Sequence, residues 1–212
     1  MKGVRFGDYH SFNDLHLILS KKEIGAPSVR KDVLEIKGSD GVLDYTDFFG
    51  GPKYGNVTHR FTFSTIVPRN ELLDQFSSVK NALHGRKMNI VLDDDPSYYY
   101  VGRLDVSSFT DEKGIGKITV DADCEPWKYK QAVTAVQYDV EGEMLVTLQN
   151  SRKPVVPIIT TFSDMSFIFD GVTYAHEAGV FEIPEIQLTE GENEITITGT
   201  GNVRFVYQEG IL

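Results

Sequence analysis

Residues 69–92, RNELLDQFSSVKNALHGRKMNIVL, join the clearest helical pattern of the chain to a strand pattern. Apolar residues recur there at spacings of four, three and four, which puts them on one helix face: Leu72, Phe76, Val79 and Leu83. Asn70 is the predicted N-cap, and Gly85 is the predicted left-handed residue after the helix. The stretch predicts an amphipathic helix of about four turns that lies across the open face of a sheet.

The rest of the N-terminal half is dominated by short segments rich in β-branched and aromatic residues. They are separated by glycine-, proline- and aspartate-rich turn sequences. The predicted strands lie at 15–19, 33–37, 57–67, 88–92, 97–106 and 117–122, with turns at 25–27, 38–41, 50–52 and 93–96. Several short strands at this spacing indicate an antiparallel sandwich or barrel.

The C-terminal half has the same β pattern but a different composition. It predicts about seven short strands, with a tight hairpin at Asp170-Gly171 and another turn at Gly199-Thr-Gly. We therefore predict a mainly β protein with two domains. Residues 1–132 form a β-sandwich-like domain with one covering α-helix, and residues 133–212 form a compact β-sandwich.

Charge is distributed unevenly along the chain. Residues 1–132 contain 18 basic and 19 acidic side chains, whereas residues 133–212 contain 3 basic and 12 acidic ones. Such an acidic half repels phosphate backbones and anionic lipid, so neither nucleic acid nor a membrane is an expected partner. No apolar run approaches the length of a membrane span, and the first residues lack the apolar core of a signal peptide.

Candidate chemistry is sparse. The five histidines have no metal-ligand spacing, and Cys124 is the single cysteine. The cluster Asp93-Asp94-Asp95 could ligate Ca²⁺ or Mg²⁺, or act as an acid/base pair in glycoside hydrolysis. However, neighbouring residues of a strand point to opposite sides, and Pro96 favours a turn. We predict no catalytic residue, no cofactor and no metal site, and hence a protein that is not an enzyme.

An aromatic run offers the best candidate interface. Tyr98, Tyr99 and Tyr100 have side chains on both faces of one predicted strand, and Arg103 follows. One face of such a run either packs under a second layer or is exposed, and exposed tyrosines are typical of protein interfaces or of sugar stacking. We predict that these four residues contribute to an interface.

Several motifs, in this order, resemble the distal tail protein (Dit) family of long-tailed bacteriophages, the siphophages. The resemblance spans almost the whole chain. It rests on residues 6–7 (FG), 11–15 (SFNDL), 36–44 (IKGSDGVLD), 56–63 (NVTHRFTF), 99–103 (YYVGR), 124–129 (CEPWKY), 157–159 (PII), 186–193 (IQLTEGEN) and 205–212 (FVYQEGIL).

The resemblance implies a structural component of the tail tip of a phage or prophage. Family members form a hexameric ring from their N-terminal domains, joining the tail tube to the baseplate, with galectin-like C-terminal sandwiches outside. The implied partners are the major tail protein, the tape measure protein, the tail-associated hub or lysin, and the receptor-binding protein. The implied location is the virion, after assembly in the host cytoplasm. A carbohydrate-binding module for host-surface saccharide remains the alternative, and an aspartate-dependent glycan-cleaving enzyme is a third hypothesis.

Overall fold

The computed structural model describes residues 2–48, 50–112 and 114–212. The chain divides into two compact units, Met1–Lys128 and Tyr129–Leu212. Each has its own apolar core, and both are built mainly from antiparallel strands, as the sequence predicts. Within the described ranges, no helix combines the length and apolarity that a membrane crossing requires.

The N-terminal unit contains one α-helix, α1, among strands of very different length. The helix spans Leu72–Leu83 and follows a turn of 3-10 helix at Arg69–Glu71. The strands, in chain order, are β1 (Val4–Phe6), β2 (Tyr9–His10), β3 (Leu17–Glu23), β4 (Val29–Arg30), β5 (Val33–Glu35), β6 (Val42–Asp44), β7 (Lys53–Tyr54), β8 (Val57–Thr65), β9 (Lys87–Leu92), β10 (Asp95–Glu112) and β11 (Ile115–Lys130).

The main sheet of this unit has the order β2-β1-β9-β10-β11-β8-β3. It curls over its own core, because strands that are not neighbours in the sheet meet through their inward side chains. Phe6 of β1 contacts Phe61 and Phe63 of β8 edge-to-face, with ring centroids 5.7 and 6.1 Å apart. Burying these rings contributes to the stability of the unit together with the rest of its apolar core.

The helix packs on this core through the predicted face. Leu72, Val79 and Leu83 are buried, and Phe76 packs against the core from its edge. The predicted cap at Asn70 is wrong, since Asn70 lies inside the 3-10 turn and the helix begins two residues later. Pro68 explains the difference, because its carbonyl accepts the Glu71 N–H at 2.9 Å and closes a tighter turn first.

The helix ends as predicted, at a glycine in the left-handed region. Gly85 has φ +76°, and its N–H donates to the Leu104 carbonyl at 2.8 Å. Arg103 donates to the Gly85 carbonyl at 2.6 Å. These bonds attach the end of α1 to β10.

The C-terminal unit combines two long strands with several short ones. The strands are β12 (Thr134–Asn150), β13 (Ile158–Thr161), β14 (Met165–Phe169), β15 (Val172–His176), β16 (Gly179–Glu182), β17 (Gly191–Tyr207) and β18 (Gly210–Ile211). Asp170 and Gly171 form the predicted tight hairpin between β14 and β15, both with positive φ. The sequence divides β12 and β17 into shorter predicted strands than the structure shows.

β17 is the central strand of this unit. β12 pairs with it along its whole length, while its other edge pairs first with β14 and then with β13. The part of the sheet that contains β14 and the part that contains β13 and β16 form facing layers. Phe167 of β14 meets Phe181 of β16 and Phe205 of β17 at centroid distances of 5.9 and 6.3 Å. The unit is therefore a sandwich in which the two long strands, β12 and β17, each belong to both layers.

Gly199 and Gly201 mark the place where β17 passes between the layers. The predicted turn at Gly199-Thr-Gly is wrong, because these residues continue the ladder with β12. A Cβ on Gly199 would lie 2.8 Å from Met165 Cγ, and one on Gly201 would lie 2.8 Å from Ser163 Oγ. Glycines inside a strand at a close approach are typical of such corners.

We expect Gly201→Ala to lower the free energy of unfolding by about 1–3 kcal/mol, because alanine is strained at φ +132° and crowds Ser163. Urea unfolding of the full chain measures the change. Thr200→Ala, at the exposed neighbouring position, is the control and should change stability by about 0.5 kcal/mol or less. Equal effects of the two substitutions would show that the corner imposes no special constraint.

Candidate assembly interface

A long excursion separates β3 from β8 and lies outside the main sheet. This segment, residues 24–56, is called the arm below. Half of the exposed large apolar side chains among the described residues belong to it: Ile24, Val29, Val33, Leu34, Ile36, Val42, Leu43, Tyr45 and Phe48. Phe48 is 73% exposed. A concentration of exposed apolar side chains in one segment is typical of a protein–protein contact.

The tip of the arm is a two-stranded ribbon made by β5 and β6. Leu34 lies directly opposite Leu43 on one face, while Val33 and Val42 lie on the other face. Apolar side chains therefore occupy both faces of the ribbon. An isolated two-stranded hairpin is only marginally stable in water, so this ribbon has little stability of its own.

The base of the arm is attached to the N-terminal core. β4 pairs with β7, and Tyr54 of β7 contacts Trp127 edge-to-face at 5.3 Å. The Gly25 N–H donates to His59 Nδ1 at 3.2 Å, and a Cβ on Gly25 would lie 2.8 Å from the Thr58 carbonyl oxygen. The arm thus leaves the domain in a direction fixed by contacts at its base.

The structure separates the predicted tyrosines onto two faces of β10. Tyr100 points inward, with its ring centroid 4.4 Å from that of His59, and burial raises the pKa of its hydroxyl. Tyr98 lies under Lys128 Nζ, which is 4.7 Å from its ring centroid. Tyr99 points to the outer face of β10. Partial burial raises the pKa of its hydroxyl, and the nearby Glu125 carboxylate adds a smaller increase in the same direction.

Arg103 shares the outer face of β10 with Tyr99 and Val101. It lies opposite Lys87 of β9, and Val101 lies opposite Asn89. Since alternate residues of a strand share a face, Tyr99 and Arg103 lie on the outer face of β10, and a role in an interface stays a prediction for all four residues. Tyr98 and Tyr100 contact other side chains of the same unit.

Sequence reasoning missed the arm as a functional element. It assigned residues 33–37 to an ordinary strand, and it gave no role to Tyr45 and Phe48, whose rings meet edge-to-face at 6.3 Å. A usable signal was present. Val33 and Leu34, like Val42 and Leu43, are consecutive apolar residues, and a strand with one solvated face would alternate.

The aspartate cluster lies at the turn between β9 and β10, as predicted, and its carboxylates diverge. Asp93 accepts from His10 Nε2 at 3.1 Å, Asp94 pairs with Lys22, and Asp95 pairs with Lys128 at 2.7 Å. Burial opposes ionisation of Asp93, but the bonds from His10 and the Gly3 N–H outweigh it and hold its pKa below the ordinary value. Each acid therefore contacts a different basic side chain.

Cys124 is fully buried in the N-terminal core. Burial, followed by the nearby Asp123 and Glu125, raises the pKa of its thiol to about 12. A Cβ on Gly102 would lie 2.5 Å from its Sγ, so β10 and β11 approach closely here. These surroundings are those of a small apolar core residue rather than of a nucleophile.

These features define a two-unit β protein with an extended apolar arm, and comparison with solved structures finds the same fold in a phage protein. The crystal structure of the Dit protein (gp 19.1) of phage SPP1 matches 100% of this chain over 100% of its own, with a TM-score of 0.74 and 17% sequence identity. That protein is described as a paradigm of the hub adsorption apparatus in phages infecting Gram-positive bacteria. No protein-family model and no curated protein matches the sequence. The fold is thus that of a siphophage distal tail protein.

We expect the Cys124 thiol to be almost inert in the native protein. With a pKa near 12, its thiolate fraction at pH 8 is about a thousandfold below that of an ordinary thiol. Iodoacetamide labelling followed by intact-mass measurement tests this, with the urea-unfolded chain as the control. Labelling as fast in the native protein as in urea would contradict the burial of this side chain.

Proposed function

We propose that this chain is a structural component of a siphophage tail tip, a distal tail protein that forms a ring. The observation that carries the proposal is the full-length likeness to the SPP1 hub protein, which covers both units without a gap in coverage. A likeness limited to one unit would support only a shared β module. The order of the sequence motifs gives support that does not depend on the structure.

The arm supports self-assembly in particular. Its apolar ribbon is exposed on both faces in the single chain, and burying such side chains contributes about 25 cal/mol for each Å² removed from water. In a head-to-tail ring, the arm of each copy contacts a different surface on the next copy. Such a contact repeats until the ring closes, and a hexamer is the closure that the family resemblance implies.

The two units have separate roles in this proposal. The N-terminal unit, which carries the arm and the outer face of β10, forms the ring. The C-terminal unit is a galectin-like sandwich, and its excess of acidic side chains keeps it solvated outside the ring. We assign the division of these roles to residues 1–132 and 133–212.

The proposed partners are the other components of a tail tip. The ring joins the tail tube, made of the major tail protein, to the baseplate, and it meets the tape measure protein and the tail-associated hub or lysin. The receptor-binding protein attaches outside. The proposed location is the virion of a phage or prophage, and the proposed role is non-enzymatic.

The saccharide-binding alternative would use the C-terminal unit. A shallow groove beside β14 and β15 is lined by Asp164, His176 and Glu177 among others. The ring of His176 stacks on Phe181 at 3.6 Å, so each ring has one face already covered. The arm gives no support to this alternative, since it belongs to the other unit, and we therefore favour the ring.

Replacing residues 32–47 by a short glycine-serine turn should yield a folded protein that stays monomeric where the full chain forms rings. The reason is that the replaced segment carries most of the exposed apolar surface of the arm. Light scattering on the eluate of a sizing column gives the mass, and negative-stain imaging shows whether a ring with a central channel is present.

The matched control removes apolar surface elsewhere. Phe162 and Val180, which are 77% and 71% exposed, lie in the C-terminal unit, and their replacement by serine should leave the rings intact. Rings that persist without residues 32–47 would contradict the role of the arm. A full chain that stays monomeric at every concentration tested would contradict self-assembly into a ring.

A further inference from the structure

We propose that His59 is an acid-sensitive latch, which holds the root of the arm, at Gly25, against β8. The neutral imidazole binds the root, and the protonated imidazole releases it. The latch is a property of the single chain and goes beyond the proposed ring function. Because the arm carries the ring contact in that proposal, the latch also links assembly to pH.

The hydrogen bond between the two residues fixes the protonation state of the ring. The Gly25 N–H donates to His59 Nδ1 at 3.2 Å. A backbone N–H can only donate, so Nδ1 carries no proton and the neutral ring has its single proton on Nε2. A second proton, added to Nδ1, would turn two donors towards each other and break the bond.

The root of the arm fits closely over β8. A Cβ on Gly25 would lie 2.8 Å from the Thr58 carbonyl oxygen and 2.8 Å from Val57 Cγ2. The root therefore has no room to move inward and find another acceptor for its N–H. Loss of the bond to His59 displaces it outward.

The surroundings of His59 disfavour a charged ring. His59 lies on the core face of β8 and is only 1% exposed. Burial lowers the pKa of its imidazole, and Nε2 has no hydrogen-bond partner among the described protein atoms. A positive ring is stabilised only when water reaches it, and outward movement of the root gives water that access.

The titratable side chains that face His59 from other strands are neutral in mild acid. The ring centroid of Tyr100, on β10, is 4.4 Å away, and Cys124 is the next inward residue of β11 after Ala122, which lies opposite His59. Burial raises the pKa of both the tyrosine and the cysteine. The charged side chains of these strands pair with each other: Lys128 with Asp95, Lys21 with Glu23, Arg60 with Asp121, and Lys87 with Glu125.

His10, the other buried histidine of the described residues, provides a matched control. Its Nδ1 also accepts backbone N–H groups, from Phe12 and Asn13, both at 3.2 Å. Its Nε2, however, lies 3.1 Å from the Asp93 carboxylate, which stabilises a positive ring. His59 has no such compensation from the groups that face it.

The latch should hold above the ordinary pKa of histidine, about 6.5, and weaken as the pH falls below it. The released ring titrates near that value, whereas the latched ring has a lower pKa. Between the two values the released state binds more protons, so each pH unit favours release by up to about tenfold.

Hydrogen exchange at the Gly25 amide tests the latch in the full chain. Mass spectrometry with fragmentation to single residues gives its protection factor, corrected for the intrinsic effect of pH on exchange. This factor should fall by at least about tenfold from about pH 7.5 to about pH 4.5. The amides of Val79 and Leu83, in the buried face of α1, should stay protected. An equal loss at all three amides would overturn the latch, since acid would then unfold the whole unit.

Two substitutions identify the sensor. In His59→Asn the side-chain oxygen takes the place of Nδ1 and does not titrate, so protection of the Gly25 amide should no longer fall in acid. His10→Asn should leave the fall unchanged. Circular dichroism verifies folding, and His59→Gln replaces the asparagine variant if that chain does not fold. A fall that persists without His59, or disappears without His10, would overturn the latch.

The outcomes for the latch and for the ring function are separate. A Gly25 amide that is equally protected at both pH values would overturn the latch and leave the ring function standing. A full chain that never assembles would overturn the ring function and leave the latch standing.

Discussion

The apolar surface of the arm is the constraint on which this account depends. The ribbon has leucines on one face and valines on the other, and all four side chains are exposed to solvent in the single chain. Water exposure of that much apolar surface is costly, and a two-stranded ribbon has little stability of its own. In the proposed ring, association would remove both costs together. Contacts at Tyr54 and Gly25 attach the base of the arm to the N-terminal core.

The two units meet different physical demands. The N-terminal sheet curls around phenylalanines from strands that are not neighbours, and its helix closes the core, which leaves the outer strand faces available for assembly. The two long strands of the C-terminal sandwich, β12 and β17, run through both layers, and β17 has glycines where it changes layer. Its acidic surface favours solvation over packing. An enzyme would need convergent polar groups, whereas the acids at 93–95 each bind a separate partner.

Much of the fold could be predicted from the sequence, because the signals were local. The apolar face of α1, the glycine after it and the Asp170-Gly171 hairpin depend on short-range patterns. Errors arose where distant contacts decide the structure. Gly199 and Gly201 form a strand corner only because β14 approaches them, and Pro68 moves the start of the helix past Asn70. The interface residues stay a prediction. The sequence of β10 alone could not show which tyrosines face outward, and the position of the arm outside the main sheet depends on contacts that a sequence pattern does not show.

Hydrogen exchange as a function of protein concentration tests the central claim most directly, since it monitors the arm itself rather than the size of the assembly. Amides of residues 32–47 should exchange rapidly in dilute, monomeric protein and become protected as rings form, while amides of the C-terminal sandwich stay unchanged. Arm amides that exchange equally fast in monomer and ring would contradict the account, because the apolar ribbon would then remain uncovered in the assembled state.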